Sequence, residues 1–275
     1  MYDPKTKKYP YPEDTAGHYL IVKKDDGTVF DTSYPYVDTS TGMRIKQALL
    51  RAALYAVAFP LAGIRLGLRI RGRENLKKHK DILKNGVISC SNHVHMWDYI
   101  AVMKAVAPFK TNILAWDKNV RGENGKLIRL TGGIPIPVND LHATSAMTKA
   151  ASELVSGGGW LHIYGEGSMW EFYRPIRPFK PGISYFSCKT GKPVLPLAFS
   201  YRKPGFIREK IFHQIALFDL NIGEPLYPDG SLPRAARERD LTVRCHEAVC
   251  RLAGIDPAEN PYPPVYENSK RADYY

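Results

Sequence analysis

The sequence predicts an α/β fold, a central mixed, mostly parallel sheet flanked by helices, with an N-terminal helical segment at a membrane interface. Three observations lead there. From about residue 70 onward, short runs rich in Val, Ile, Leu and Phe alternate with longer runs of helical periodicity, as in strands joined by crossover helices. No low-complexity linker divides the 275 residues, a length that supports one large core with appendages. Ahead of the alternation lies an uncharged stretch bounded by arginines, unlike anything else in the chain.

Residues 1–40 are polar and rich in Tyr, Asp and Thr. Their apolar runs at 19–22 and 29–30 flank the turn signal Asp25-Asp26-Gly27, which predicts a small hairpin on the outside of the main domain. No apolar core of a secretory signal follows Met1. Residues 41–69 change character: Ala52 to Ile64 are thirteen residues without a charge, fewer than the about 20 that cross a bilayer core as helix. With Lys46, Arg51, Arg65 and Arg69 around them and Pro60 as a kink, they read as a helical segment lying in the interface, its arginines on anionic headgroups.

The main domain is expected over residues 70–254. A short strand begins at Ile70, and further strands are predicted over 86–90, 112–115, 134–138, 160–164, 194–201 and 215–222. Helices are predicted over 96–106, 141–155, 182–190 and 234–253. The tail 255–275, with Pro257, Pro261, Pro263 and Pro264, reads as an extended end. Cys90, Cys188, Cys245 and Cys250 lack metal-ligand spacing and fit structural burial in a reducing compartment. A net charge of +12 attracts anionic partners: lipid headgroups, an acidic carrier protein or cofactor, or nucleic acid. The cations are scattered and no basic-aromatic module appears, which weighs against nucleic acid.

One stretch carries chemistry, Val87 to Asp98. It reads as a buried strand ending at Ser91 and Asn92, both N-cap residue types, followed by His93 and, after four residues, Asp98. On a continuous helix His93 and Asp98 would point roughly 140° apart, so they meet only if His93 lies in the turn before the helix. Asp98 would then hold one imidazole nitrogen and leave the other to act as a general base. A metal set of His93, His95 and Asp98 is the competing reading, and no further Cys or His cluster completes it.

Asn92-His93-x4-Asp98 after a strand resembles the first motif of the glycerolipid acyltransferases, the family of the bacterial 1-acylglycerol-3-phosphate acyltransferases. Gly132-Gly133-Ile134-Pro135-Ile136-Pro137-Val138 stands where the second motif falls, with Pro137 and Val138 in place of the usual Asp and Arg. Tyr164-Gly165-Glu166-Gly167-Ser168-Met169 resembles the third, with Ser168 for Thr and Met169 for Arg. Phe179-Lys180-Pro181-Gly182 and the strand 194–200 resemble the segments that follow.

The resemblance implies an O-acyltransferase that moves a fatty acyl group from acyl-CoA or acyl-carrier protein to a lysolipid hydroxyl, most often that of 1-acylglycerol-3-phosphate, in phospholipid synthesis. It implies His93 as base and Asp98 as its orienter, with Asn92, Gly133, Glu166, Gly167 and Ser168 contacting substrate. Arg174, Arg177 and Lys180 are the nearest cations to replace the two missing arginines. Neither a metal nor a bound cofactor is called for, and the expected place is the cytoplasmic face of the membrane, peripheral or monotopic. The missing arginines leave a different lysolipid or an amine-containing lipid as the alternative acceptor. A non-catalytic membrane-surface module and a metal-dependent hydrolase are the other classes.

Overall fold

Runs of branched apolar residues without charges become the central strands, because a strand covered on both faces has no side for polar residues. A computed structural model describes residues 2–4 and 9–266. Its strands are β1 (Arg69–Arg71), β2 (Val87–Ser91), β3 (Thr111–Trp116), β4 (Gly133–Ile136), β5 (Trp160–Tyr164), β6 (Val194–Arg202) and β7 (Leu217–Ile222). They form one sheet in the order β1-β7-β6-β2-β5-β3-β4. Every pairing is parallel except β6 with β7, so the sheet is mixed and mostly parallel.

The helices are α1 (Thr41–Ala53), α2 (Phe59–Leu66), α3 (Arg73–Lys78), α4 (Lys80–Lys84), α5 (Asp98–Val106), α6 (Asp117–Arg121), α7 (Gly125–Leu130), α8 (Leu141–Ser156), α9 (Gly182–Thr190), α10 (Phe206–Lys210) and α11 (Arg234–Ala253). On one face of the sheet α8, α9 and α11 bury Met147, Ala151, Val155, Ile183, Phe186, Leu241 and Val249 against Ile88, Leu161 and Ala198. On the other, α2 and α5 bury Ala62, Leu66, Ala101, Val102 and Ala105 against Trp160, Phe199 and Phe218. Strands β2 and β5 lie side by side, with Ser91 opposite Tyr164. Their carboxyl ends therefore open next to each other, where ligands bind in open α/β sheets.

Helices α1 and α2 join through a π-helical turn at Leu54–Ala58 into one run, Thr41–Leu66, long and apolar enough to cross a membrane by length and composition. The local cause is Pro60, which has no N–H to give to the residue four before it, and a wider turn absorbs the missing bond. Ser40 caps the start by accepting from the Met43 amide. No residue of α1 is buried, whereas α2 buries Phe59, Ala62 and Leu66, and Lys104 of α5 donates to the Phe59 carbonyl at 2.7 Å.

Two expectations fail. No strand forms in the described part of residues 1–40, so the hairpin is absent. Ile21 and Val29 stay 85% and 71% exposed, and a two-stranded ribbon with no face to bury is not stable alone. The segment instead straps the domain through side chains: Tyr9 and Tyr11 join Trp170, Phe172 and Tyr173, while Phe30 and Tyr36 enter the core. The tail is docked as far as it is described. Asn260 is buried and brackets Ile176, accepting from its amide at 3.1 Å and donating to its carbonyl at 2.8 Å. Val265 bridges Phe179, and residues 267–275 lie outside the described residues.

Candidate active site

The turn after β2 is built on Asn92 and Asp98. Asn92 is buried; its side chain accepts from the Phe199 amide at 2.8 Å and donates to the Phe199 carbonyl at 3.1 Å, which ties the turn to β6. Its side chain is engaged with β6 and does not cap α5, contrary to the reading of 91–92 as cap residues. Asn92→Ala would leave both Phe199 groups unpaired in the core. A loss of about 2–4 kcal/mol is expected from denaturant unfolding.

Asp98, wholly buried, is the first residue of α5, where a carboxylate meets the positive end of the helix. Its Oδ2 accepts from the amides of Val94 at 2.6 Å and His95 at 2.9 Å, and lies 3.1 Å from Nδ1 of His93. An oxygen already taking two N–H donors is an acceptor, so His93 presents Nδ1–H to it and Nε2 is the nitrogen left to take a proton. His93 does sit in the turn before the helix, as its spacing from Asp98 requires. Its ring stacks flat on Tyr164 of β5, with centroids 3.7 Å apart and planes 4° from parallel. Burial pulls His93 down to about 3, and burial pushes Asp98 up to about 7 against the two amides. The imidazole is therefore neutral, the form a base needs.

The amides beside His93, natural candidates to hold an oxyanion, are engaged within the loop. Those of Val94 and His95 bind Asp98, and that of His93 donates to Glu166 Oε2 at 2.9 Å. Glu166 is itself buried, accepting also from the Arg177 amide at 2.9 Å and from Arg177 Nη2 at 3.2 Å. Arg177 is fully enclosed; Nη1 donates to Ser168 Oγ at 2.7 Å and the Thr15 carbonyl at 2.8 Å, and the guanidinium lies 4.3 Å over Trp170. Arg177 and Glu166, both expected to meet substrate, instead join the loops after β2 and β5 to the N-terminal strap.

A cavity of about 500 Å³ opens beside His93. Its walls are apolar along the ends of β3 and β4, with Leu114, Trp116, Ile136 and Val138, and Met169 closes one side. Gly167, Ser168 and Lys180 also line it. Gly167 has φ +74°, and a Cβ there would come within 2.7 Å of the Lys180 side chain, so glycine lets that chain lie along the turn. Burial lowers the pKa of Lys180. Two predicted residues are elsewhere: Gly133 lines a separate cavity behind β4, packed so tightly on Ile128 that no Cβ fits, and Arg174 faces Pro175, Gly254 and Asn260.

Several lining residues escaped the sequence reading. His18, Tyr19 and Leu20 of the strap roof the cavity, His18 stacking on Trp116 at 3.7 Å, and Tyr99 lies at its floor. No spacing links residue 18 to residue 93; the tyrosine-rich composition of the strap was the one trace. His162 is buried in β5 with Ser89 Oγ at 2.9 Å, a core histidine as expected of a strand position. His95 turns to a different cavity, its Nδ1 accepting from the Trp97 amide and its Nε2 3.8 Å from Glu171.

The buried histidines set an acid limit to stability. His93 and His162, both held at about 3 by burial, stay unprotonated when folded but take up a proton each on unfolding below about 6.5. Asp98, raised to about 7, works in the opposite sense, because the unfolded chain releases its proton above about 3.8. The two histidines outweigh the one carboxyl by about one proton between pH 4 and 6.5, and His95 and His246, also lowered by burial, add to them. Stability is expected to fall with falling pH there, by on the order of 1.4 kcal/mol per pH unit for each net proton, readable as Tm against pH.

Residues 67–200, which hold His93, Asp98 and the Glu166 loop, match the acyltransferase family. No curated protein sequence matches the chain. Among solved structures, the chain is similar to the 1-acyl-sn-glycerophosphate (LPA) acyltransferase PlsC from Thermotoga maritima, at 18% identity and a TM-score of 0.48, over 80% of this chain and 84% of that one.

Proposed function

We propose that this chain, whose residues 67–200 match the acyltransferase family, transfers a fatty acyl group from acyl-CoA or acyl-carrier protein to the hydroxyl of a lysolipid at the cytoplasmic surface of a membrane. The observation that carries the reading is the His93–Asp98 pair at 3.1 Å on the rim of an apolar cavity inside the matched segment. His93 Nε2 takes the proton of the acceptor hydroxyl as its oxygen attacks the thioester carbonyl. Asp98 then faces an imidazolium, which its charge stabilises. Collapse of the tetrahedral intermediate forms the ester and expels the thiolate, and the imidazolium returns its proton to that sulfur. The apolar walls from Leu114 to Val138 suit an acyl chain, and the cavity lies within the size range of ligand sites.

We take 1-acylglycerol-3-phosphate as the first acceptor to test, with Lys180 as the cation nearest its phosphate, since Arg177 is enclosed and Arg174 lies outside the cavity. A second reading rests on Val138 and Met169. Both line the cavity at positions where the family pattern carries an arginine, which favours an acceptor without a phosphomonoester. The test is thiol release from both donors with a panel of lysolipids. For the phosphate acceptor, Lys180→Ala is expected to raise KM by about 10- to 100-fold while leaving that of a neutral lysolipid unchanged. Equal effects on both would remove Lys180 from phosphate binding.

A further inference from the structure

The connection between β6 and β7 leaves four large apolar side chains in solvent. Phe206 is 76% exposed, Ile207 61%, Ile211 64% and Phe212 67%, all within seven residues formed by α10 and the turn after it. Single exposed apolar residues are ordinary, but a cluster of this density marks a binding surface. Its position is fixed against α2: Arg208 Nη1 donates to the Ile64 carbonyl at 2.9 Å and Gln214 Nε2 to the Arg65 carbonyl at 2.6 Å. On α2 itself Leu61 and Ile64 are 48% and 66% exposed, so the two elements present one continuous apolar face. Cations surround it. Lys203, Lys210, Arg65 and Arg69 are exposed and Arg208 partly so, against the single carboxylate of Glu209 in the connection.

We propose that the α10 connection is a second membrane-inserting element, which seats in an anionic lipid bilayer together with the α1–α2 run. An apolar face ringed by cations is complementary to acyl chains beneath anionic headgroups, and it continues the unburied apolar surface of α1. Between α2 and α10 runs a groove of about 980 Å³, walled by Leu61, Ile64, Phe206, Ile207 and Phe212 and reaching His95 and Trp97, in the loop that carries His93. A lipid leaving the bilayer at this face would follow apolar walls toward that loop. Only this use of the groove rests on the acyltransferase reading; seating on the bilayer does not.

The experiment is flotation of the full chain with phosphatidylcholine vesicles, with and without phosphatidylglycerol, comparing wild type with Phe206→Ser/Phe212→Ser. These side chains are in solvent, so the variant's Tm should match wild type. Its partition onto phosphatidylglycerol vesicles is expected to fall by about tenfold or more, with salt weakening the wild type. In a separate variant, the tryptophan introduced by Phe212→Trp should be quenched by nitroxide-bearing acyl chains beyond the wild-type signal. Unchanged partition of the double variant overturns the proposal. So does an introduced tryptophan that is not quenched, or a variant that alters only the oligomeric state, which would assign the face to a second copy. Binding is read without turnover, so its failure and the failure of His93 chemistry are separate results.

Discussion

Replacing His93 with alanine is expected to lower kcat by about two to four orders of magnitude with little change in KM, because the imidazole acts on the reacting proton and not in holding the lipid. The expected Tm change is small, since His93 packs on Tyr164 at the rim of the cavity and its side chain retains 21% exposure. Asp98→Asn separates charge from hydrogen bonding. The amides of Val94 and His95 both need an acceptor at the Oδ2 position, so the asparagine oxygen is held there and still receives Nδ1–H from His93. The tautomer survives, and what disappears is the negative charge facing the imidazolium. A loss of about a hundredfold in kcat, smaller than for His93→Ala, is the expected result. The imidazole, held at about 3, stays an unprotonated base from pH 8 down to about 5.5, so the fall of wild-type activity per folded molecule in that range should follow Asp98, raised to about 7, and be absent in Asp98→Asn. A fall that persists in Asp98→Asn at the ordinary histidine value of about 6.5 would mean that burial does not control the base, and full activity in His93→Ala would end the proposed mechanism.

The parts of this site that were legible in the sequence are those whose partners are close in the chain. His93 and Asp98 share one loop, and the only question their spacing posed, turn or helix, was answered by the apolar periodicity that follows. Strand β5 and helices α9 and α11 fall on the residues expected for them, because uninterrupted apolar runs and 3.6-residue stripes are local properties. Pairing is not local. The antiparallel placement of β7 beside β6, and the docking of residues 1–40 by isolated aromatics, depend on surfaces the rest of the chain creates. Arg177 shows the limit most clearly. A guanidinium three residues from a basic neighbour reads equally as a phosphate ligand or as an ion-pair partner, and burial decides. That burial comes from Trp170 on one side and, on the other, from the strap carbonyl of Thr15, 162 residues away in the chain and outside any local motif.

The same burial makes Glu166 the residue whose loss should cost the fold most. Glu166→Ala would leave the Arg177 charge enclosed with only Ser168 and Thr15 as acceptors, and would strip the acceptor from the amides of His93 and Arg177. Removing one partner of a buried pair costs about 3–5 kcal/mol, a large part of the about 5–15 kcal/mol that holds a domain together. A Tm lowered by about 10 °C is the corresponding result for a chain of this size. Glu166→Ala/Arg177→Met should recover much of the loss, since an apolar side chain over Trp170 carries no unpaired charge. Recovery of Tm need not restore turnover, because the double variant still lacks the carboxylate that fixes the His93 amide and with it the approach of the imidazole to the cavity. A substrate-binding Glu166 would behave otherwise, with KM raised, Tm unchanged and no rescue by Arg177→Met. Tm and KM measured on the two variants therefore separate a carboxylate that holds the catalytic loop from one that holds the lipid.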